Sequence, residues 1–250
     1  MMLLLYIDDL FMTEKEELIK VARRILTLKF KMKDLYMMHY FLGMEVWQNA
    51  GGISLGQGKY AVEILKRFSM IDCKANTTPM ASNLKLLSDA SSESIDAVMY
   101  HQMIGSLMYL MNTRPDICFV VNTLSQFLTD PRNVHLIAAK HILRYLRGTI
   151  DYGLKYEVNQ KINLEGYVDS YWANSAIDRK STSGCCFSTG SGVISWFIRK
   201  QSCVELSTTE AEYVIVCSTS CEVVWLWKLL SDLFDLQLDA NCIYCDNRVV

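Results

Sequence analysis

The alternation of apolar and polar positions predicts strands at both ends of the chain and helices between them. Period-two alternation bounded by Gly, Ser or Asp predicts strands within 1–12, 40–55, 164–198 and 242–245. Apolar positions spaced three and four apart predict helices over about 14–28, 59–68, 100–111, 117–128, 133–146 and 208–234. This order of elements predicts a fold of the α/β and α+β classes.

Composition along the chain indicates three units. The stretch from Cys73 to Ser94 contains Thr77-Thr78-Pro79 and a cluster of serines, a composition typical of a connection between packed units. We therefore predict an N-terminal unit over 1–80, a helical unit over 81–160 and a C-terminal unit of sheet and helix over 161–250.

Two segments carry the pattern of a helix-starting capping box, Thr13-Glu14-Lys15-Glu16 and Ser207-x-x-Glu210. The first predicts a core-packing helix with one apolar face, formed by Leu18, Val21, Ala22, Ile25 and Leu28. The second gives Glu210 a structural role and leaves Glu212 free to point elsewhere.

Composition and charge exclude several classes. No apolar run reaches the roughly 20 residues that span a bilayer, and the apolar N-terminus lacks the basic flank of a secretion signal. We expect an intracellular protein, of cytoplasm or nucleus, with no membrane partner. The nine cysteines and four histidines lack the spacing of a metal site, so we expect reduced, buried thiols. A net charge of −2 means that any surface for nucleic acid must be local.

Three acidic residues stand at the ends of separate predicted elements. Asp169 ends a strand, Glu212 lies in the first turns of a helix, and Asp246 ends a second strand. Taken singly, each is more simply a solvated surface residue. If the fold brings them together, the cluster needs cations, because like charges raise one another's pKa. A pair of Mg²⁺ ions bound by such oxygens supports phosphodiester cleavage.

Two further features suit nucleic-acid chemistry. The apolar runs on either side of Asp8 and Asp9 predict a β-hairpin that turns at these aspartates. In the helix over 133–146, Lys140, Arg144 and Arg147 form a basic stripe opposite the apolar face. Such a stripe fits a phosphate backbone, but it also fits an ordinary solvated face.

In content and order, these motifs resemble copia-type retrotransposon polyproteins. Leu-Leu-Leu-Tyr-Ile-Asp-Asp-Leu resembles the hairpin of a reverse transcriptase palm, and Lys-His-x-Leu-Arg-Tyr-Leu-x-Gly-Thr the thumb and connection region. Tyr-x-Asp, Asp-Arg-Lys-Ser-Thr-Ser-Gly, Ser-x-x-Glu-Ala-Glu-Tyr and Tyr-Cys-Asp-Asn resemble the ribonuclease H domain. The sequence departs from the family pattern at Tyr171, where the family has a second acid, and at Asn174, where it has glycine.

The resemblance implies a role for each candidate residue. It makes 1–80 the end of the palm, 81–160 the thumb and connection, and 161–250 a truncated ribonuclease H domain. Catalytic ligands of Mg²⁺, or of Mn²⁺, are Asp169, Glu212 and Asp246 at the nuclease site and Asp8 and Asp9 at the polymerase site. The residues that it implies contact an RNA–DNA hybrid or a template-primer duplex are Lys140, Arg144, Arg147, Arg179 and Lys180.

The resemblance also implies that the parent polyprotein of the transposable element synthesises DNA on RNA, hydrolyses RNA in hybrids and serves DNA integration. Each site is expected to need one more acid, from parts of the polyprotein upstream and downstream of this chain. Alone, we expect no polymerase activity and weak or absent hybrid cleavage. Two alternatives stay open: a decayed, non-catalytic remnant that at most binds nucleic acid, and a protein-interaction module built from the helical middle.

Overall fold

The computed structural model describes residues 2–80, 92–158, 162–175, 178–234 and 242–246, and within them the chain is a mixed α/β structure. The strands are β1 Met2–Tyr6, β2 Asp9–Thr13, β3 Tyr40–Phe41, β4 Met44–Asn49, β5 Gly52–Gly56, β6 Gly153–Glu157, β7 Leu164–Tyr171, β8 Thr182–Thr189, β9 Gly192–Lys200 and β10 Cys242–Cys245. The helices are α1 Glu16–Lys29, α2 Gly58–Arg67, α3 Ala97–Leu110, α4 Cys118–Ser125, α5 Asn133–Gly148 and α6 Thr208–Phe234. A short 3₁₀ helix, Pro115–Ile117, precedes α4.

The N-terminal strands form the expected hairpin. β1 and β2 pair antiparallel with Tyr6 opposite Asp9, so the turn consists of Ile7 and Asp8, and Asp9 begins the second strand. Ile7 has a φ of +54°, a conformation that β-branched residues rarely adopt. The tip of the hairpin is therefore strained.

The predictions for α1 are wrong in two respects. The residue before the helix is Lys15, which makes no side-chain capping hydrogen bond, so the capping box does not form. Of the apolar face, only Ala22 is buried, whereas the side chains of Leu18 and Val21 are 49% and 57% exposed. Periodicity shows that a helix has an apolar face, but it does not show what covers that face.

The second sheet has the order β3-β4-β5-β6, with antiparallel pairs throughout. β6 follows the helical unit in sequence, yet it pairs with β5. Helices α2 to α5 pack around one core, which includes Ile64, Leu65, Tyr100, Leu107, Leu124 and Leu143. This core draws on residues from both sides of position 80, and the three-part domain division stays a prediction.

A buried arginine joins the helices of this core. Arg114 is 3% exposed and donates to the Asp116 carboxylate at 2.7 Å and to the Thr149 backbone oxygen at 2.8 Å. The Tyr145 hydroxyl donates to the same carboxylate at 2.8 Å. The start of α4 is thereby tied to the end of α5.

The third sheet has the order β10-β7-β8-β9, in which β10 lies parallel to β7 and the other pairs are antiparallel. α6 packs on one face, where Ile215 and Leu226 contact a cluster that includes Val168 and Phe187. Strand β9 contacts the helical unit. The Trp196 indole of β9 donates a hydrogen bond to the Met111 backbone oxygen, after α3, at 3.1 Å.

α6 corrects the expectation about membrane-spanning length. With 27 residues it is long and apolar enough to cross a bilayer by length and composition. Alternating small polar residues, such as Ser218 and Ser220, concealed this length in the sequence. Its buried residues, such as Ile215 and Leu226, pack against the sheet, and 17% of its most apolar stretch is buried.

Candidate acid pocket

The parallel pairing of β7 and β10 brings two of the predicted acids to one edge of the sheet. Cys245, the last residue of β10, pairs with Val168 of β7. Asp246 directly follows β10, whereas Asp169 lies within β7, which continues to Tyr171 instead of ending at Asp169 as predicted. Because each acid follows a residue of the Cys245–Val168 pair, both lie at the same level of the sheet. Both residues are exposed. Two carboxylates that are distant in sequence therefore share one accessible edge.

The start of α6 supplies the third acid. The Ser207 hydroxyl accepts a hydrogen bond from the Glu210 amide at 3.2 Å, and the Glu210 carboxylate accepts one from the Leu206 amide at 2.6 Å. This confirms the capping role predicted for Glu210. Glu212, two residues further along, is buried with 5% exposure. The helix start is thus fixed by Glu210, and Glu212 turns inward.

Glu212, Cys245 and Asp246 place possible ligand atoms within 4.8 Å of one another. The Cys245 thiol donates to a Glu212 oxygen at 3.1 Å. Burial raises the pKa of Glu212, and the charges of Asp246 and Asp169 raise it further, whereas hydrogen bonds from Cys245 and the Ser170 amide lower it. The charges of both exposed acids therefore act on Glu212, and we call the three acids together with Cys245 the acid pocket.

The residues of the acid pocket fit a divalent cation. Two exposed carboxylates flank a buried one whose pKa is raised, and a cation would relieve that repulsion. The buried Ser170 hydroxyl oxygen, next to Asp169, has no hydrogen-bond partner among the described residues. Oxygen donors of this kind suit Mg²⁺ and Mn²⁺.

Cys245 is the member of the pocket that sequence reasoning missed, because all the cysteines were interpreted as ordinary buried thiols. Within the described residues all nine are free, as expected, but Cys203, Cys217, Cys221 and Cys242 are exposed. The available signal was the position of Cys245 directly before Asp246 at a strand end.

The other predicted acids, Asp8 and Asp9, lie on a different sheet, at the exposed tip of the β1–β2 hairpin. Strain at the neighbouring Ile7 is the kind of local cost that recurs at functional sites. The structure keeps these two acids adjacent, as the hairpin prediction required.

The predicted basic residues differ in their surroundings. On α5, Arg144 is exposed and Lys140 half-buried, whereas the Arg147 guanidinium donates to the Ile71 oxygen at 2.6 Å. Arg179 and Lys180 precede β8, whose first residue pairs with the last residue of β7. Arg179 and Lys180 therefore lie at the edge of the sheet that carries the acid pocket, and Arg147 has a role in the fold.

The chain is similar in sequence to reverse transcriptases and to proteins of transposons. Residues 1–82 match the family described as reverse transcriptase (RNA-dependent DNA polymerase). The chain is 40% identical over 246 residues to a retrovirus-related Pol polyprotein from transposon RE1 of Arabidopsis thaliana, covering 98% of this chain and 17% of that protein. It is 31% identical over 226 residues to a putative transposon Ty5-1 protein of Saccharomyces cerevisiae, covering 87% and 72% of the two chains.

A further relative is an uncharacterized mitochondrial protein of Arabidopsis thaliana, 39% identical over 227 residues, with 90% of this chain and 94% of that protein covered. No solved structure matches the chain. The chain belongs to the copia-type retrotransposon Pol polyprotein family. It spans 17% of the length of the transposon RE1 and RE2 polyproteins.

Proposed function

We propose that residues 161–250 form a ribonuclease H unit in which the acid pocket hydrolyses the RNA strand of an RNA–DNA hybrid. The observation that supports this proposal is that Glu212, Cys245 and Asp246 place possible ligand atoms within 4.8 Å of one another. Asp169 lies on the adjoining strand β7, near enough for its charge to raise the pKa of Glu212. In the same proposal, residues 1–80 are the end of a reverse transcriptase palm, and residues 81–160 are its thumb and connection.

The residues of the pocket divide the work. Glu212 is buried and accepts a hydrogen bond from the Cys245 thiol, so its carboxylate is held in one position. Asp169 and Asp246 are exposed and face the substrate side. Bound Mg²⁺ or Mn²⁺ ions would supply water activation and charge neutralisation. The protein's own contribution is to hold three mutually repelling carboxylates in place before the cations arrive.

Basic residues around the pocket suit a nucleic-acid backbone. Arg179 and Lys180 lie near the acids, and Lys140 and Arg144 extend the positive charge to α5. Contacts with phosphates fix the position of a duplex without reading its sequence. Selectivity for RNA would come from 2′-hydroxyls in the wide minor groove of the hybrid.

We further propose that the parent polyprotein completes both metal sites. The family pattern adds one acid to the polymerase site and one to the nuclease site. In this proposal the chain contributes Asp8 and Asp9 to the polymerase site and Asp169, Glu212 and Asp246 to the nuclease site. Its role as a reverse transcriptase is thus carried out with the remaining parts of its polyprotein.

Metal binding tests the pocket directly. Mn²⁺ affinity, measured by electron spin resonance, should fall roughly tenfold in Asp169→Asn, Glu212→Gln and Asp246→Asn, a reduction of about 1.4 kcal/mol each. Asp232→Asn is the matched control, because Asp232 is an exposed acid near the far end of α6. Wild-type Mn²⁺ affinity in Asp169→Asn would exclude the proposed site.

Cleavage tests the substrate. With Mn²⁺ and an RNA–DNA hybrid labelled on the RNA strand, we expect slow cleavage of RNA by the wild-type chain and no cleavage of duplex DNA. Asp169→Asn should abolish it, and Asp232→Asn should leave it unchanged. Cleavage that persists in Asp169→Asn would show that the activity has another source.

A second candidate function is binding of nucleic acid without catalysis. The observation that favours it is the extent of the uncharacterized mitochondrial relative, 94% of which matches this chain. In this case, affinity for a hybrid is independent of divalent metal and unchanged by Asp169→Asn, and no cleavage accompanies it.

A further inference from the structure

A buried carboxylate outside the acid pocket connects the two elements that carry its acids. Glu205 is 3% exposed and lies in the segment between β9 and α6. Its carboxylate accepts hydrogen bonds from the Ser181 hydroxyl and, at 3.3 Å, from the Ser181 amide. The backbone oxygen of Glu205 accepts from the Trp172 indole at 3.0 Å.

These contacts hold both ends of the loop that follows Asp169. Trp172 directly follows β7, and Ser181 directly precedes β8. The Ser181 hydroxyl also accepts from the Ala173 amide at 3.1 Å. Ala173 has a φ of +48°, so the loop is held in a strained conformation. Glu205 therefore fixes the loop from outside.

Gln201 makes a second connection of the same kind. Its side-chain amide donates to the Ser183 hydroxyl at 2.6 Å and to the Ala211 backbone oxygen at 2.9 Å. Ser183 pairs with Ser170, the neighbour of Asp169, whereas Ala211 is the neighbour of Glu212. One buried side chain thus links α6, the helix of Glu212, to β8, the strand that pairs with the strand of Asp169.

We propose that Gln201 and Glu205 are positioning residues that hold Asp169 at its working distance from Glu212. The inference rests on the proposed function, because it assigns this task to a pocket that binds cations. The like charges of Asp169 and Asp246 disfavour the ionised Glu212 carboxylate before a cation arrives, and this repulsion would push the β7–β8 pair that carries Asp169 away from α6. Two buried hydrogen-bonded links oppose that movement, since breaking either leaves polar groups unsatisfied.

The Ser170 amide reports on this arrangement, because Ser170 is the neighbour of Asp169 on β7 and pairs with Ser183, to which Gln201 donates. Its hydrogen exchange, measured by NMR in metal-free protein, should be roughly tenfold faster in Gln201→Ala and in Glu205→Ala. Glu205→Gln keeps the shape and one acceptor oxygen, and it should restore most of the protection. The Cys186 amide, inside the β8–β9 pair, should exchange as in the wild type and so report that the sheet remains folded.

Glu222→Ala is the matched control. Glu222 also lies on α6 and accepts from a sheet serine, Ser195, at 3.0 Å, but it is ten residues further along the helix than Glu212. It should leave Ser170 exchange unchanged. Wild-type Ser170 protection in folded Gln201→Ala and Glu205→Ala would overturn the inference, and so would an equal loss in Glu222→Ala. If Glu205→Ala does not fold, Gln201→Ala and Glu205→Gln still test the positioning role.

The two proposals fail in different ways. If the wild-type chain neither binds Mn²⁺ nor cleaves a hybrid, the proposed function is wrong, whatever the exchange data show. If Mn²⁺ binds in a manner that depends on Asp169, but Gln201→Ala leaves both the affinity and Ser170 exchange unchanged, only the positioning role is wrong. If both hold, Mn²⁺ affinity should fall in parallel with Ser170 protection.

Discussion

The Cys245 thiol donates a hydrogen bond to the Glu212 carboxylate at 3.1 Å, across the gap between β10 and α6. This contact opposes the dominant influences on Glu212, since burial and the charges of Asp246 and Asp169 all raise its pKa. The thiol favours the ionised form, which is the form that binds a cation. If the acid pocket binds metal as proposed, a neutral side chain of β10 helps to set the pH at which it does so.

Removing the thiol should shift the pH dependence of metal binding. In Cys245→Ala the pKa of Glu212 loses a lowering influence and rises further, so protons compete with Mn²⁺ up to a higher pH. The pH midpoint of Mn²⁺ binding should move upward. Cys242→Ala is the control, because Cys242 is exposed on the same strand. An unchanged midpoint in Cys245→Ala would show that the thiol does not influence Glu212.

Removing the buried charge should stabilise the metal-free protein. The pKa of Glu212 is higher in the folded protein than in the unfolded chain. The free energy of unfolding therefore decreases as the pH rises from the pKa of Glu212 in the unfolded chain to its pKa in the folded protein, and it stays lower at higher pH. Glu212→Gln does not ionise, so at neutral pH with a chelator its Tm should increase by about 2–4 °C, or ~1 kcal/mol for a chain of this size. Asp232→Asn should leave Tm unchanged, and a lower Tm in Glu212→Gln would contradict the prediction.

The Arg114–Asp116 pair should matter more than an exposed ion pair. Arg114→Ala leaves the half-buried Asp116 without its main partner, and we expect a decrease of about 3–5 kcal/mol in the free energy of unfolding, measured in urea. Lys155→Ala breaks an exposed pair of the same spacing and should cost under about 1 kcal/mol. Equal decreases would mean that burial has no part in the effect.

The same pair makes stability depend on acidity. Burial raises the pKa of Asp116, but hydrogen bonds and charge from Arg114 and a bond from Tyr145 outweigh it, so the pKa is lowered on folding. The stabilisation is present above about pH 4, the ordinary value, and is lost as the pH falls through the folded pKa. In Arg114→Ala this acid-dependent decrease in stability, followed by urea unfolding at a series of pH values, should shrink.

The basic residues of α5 should separate into two groups. Neutralising Lys140 and Arg144 to Gln should reduce the slope of log affinity against log salt by about 0.7–0.9 for each phosphate that is no longer bound, with no change in stability. Arg147→Gln should also lower stability, because the Ile71 oxygen loses its donor. Lys228→Gln, at an exposed position on α6, is the control. An unchanged slope would show that Lys140 and Arg144 of α5 do not contact nucleic acid.

Most elements could be predicted from local pattern, because periodicity and helix-end signals are properties of short segments. The hairpin at Asp8, the helices of the middle and the capping role of Glu210 depend on neighbours in sequence. The sequence-based predictions were wrong where contacts with distant parts of the chain determine which side chains are buried. The apolar face of α1 is real, but nothing in its sequence shows whether another element covers it.

The acid pocket also depends partly on local motifs and partly on contacts between distant segments. Asp169, Glu212 and Asp246 could be proposed as candidate residues from local motifs, since these motifs resemble a known family. Their proximity depends on the fold, because the parallel pairing of β10 with β7 joins segments that are distant in the chain and brings Asp246 beside Glu212. The tertiary structure alone also placed Cys245 against Glu212 and Gln201 between β8 and α6. Hydrogen bonds between distant segments leave no periodic signal in sequence, so such partners appear only once the chain is folded.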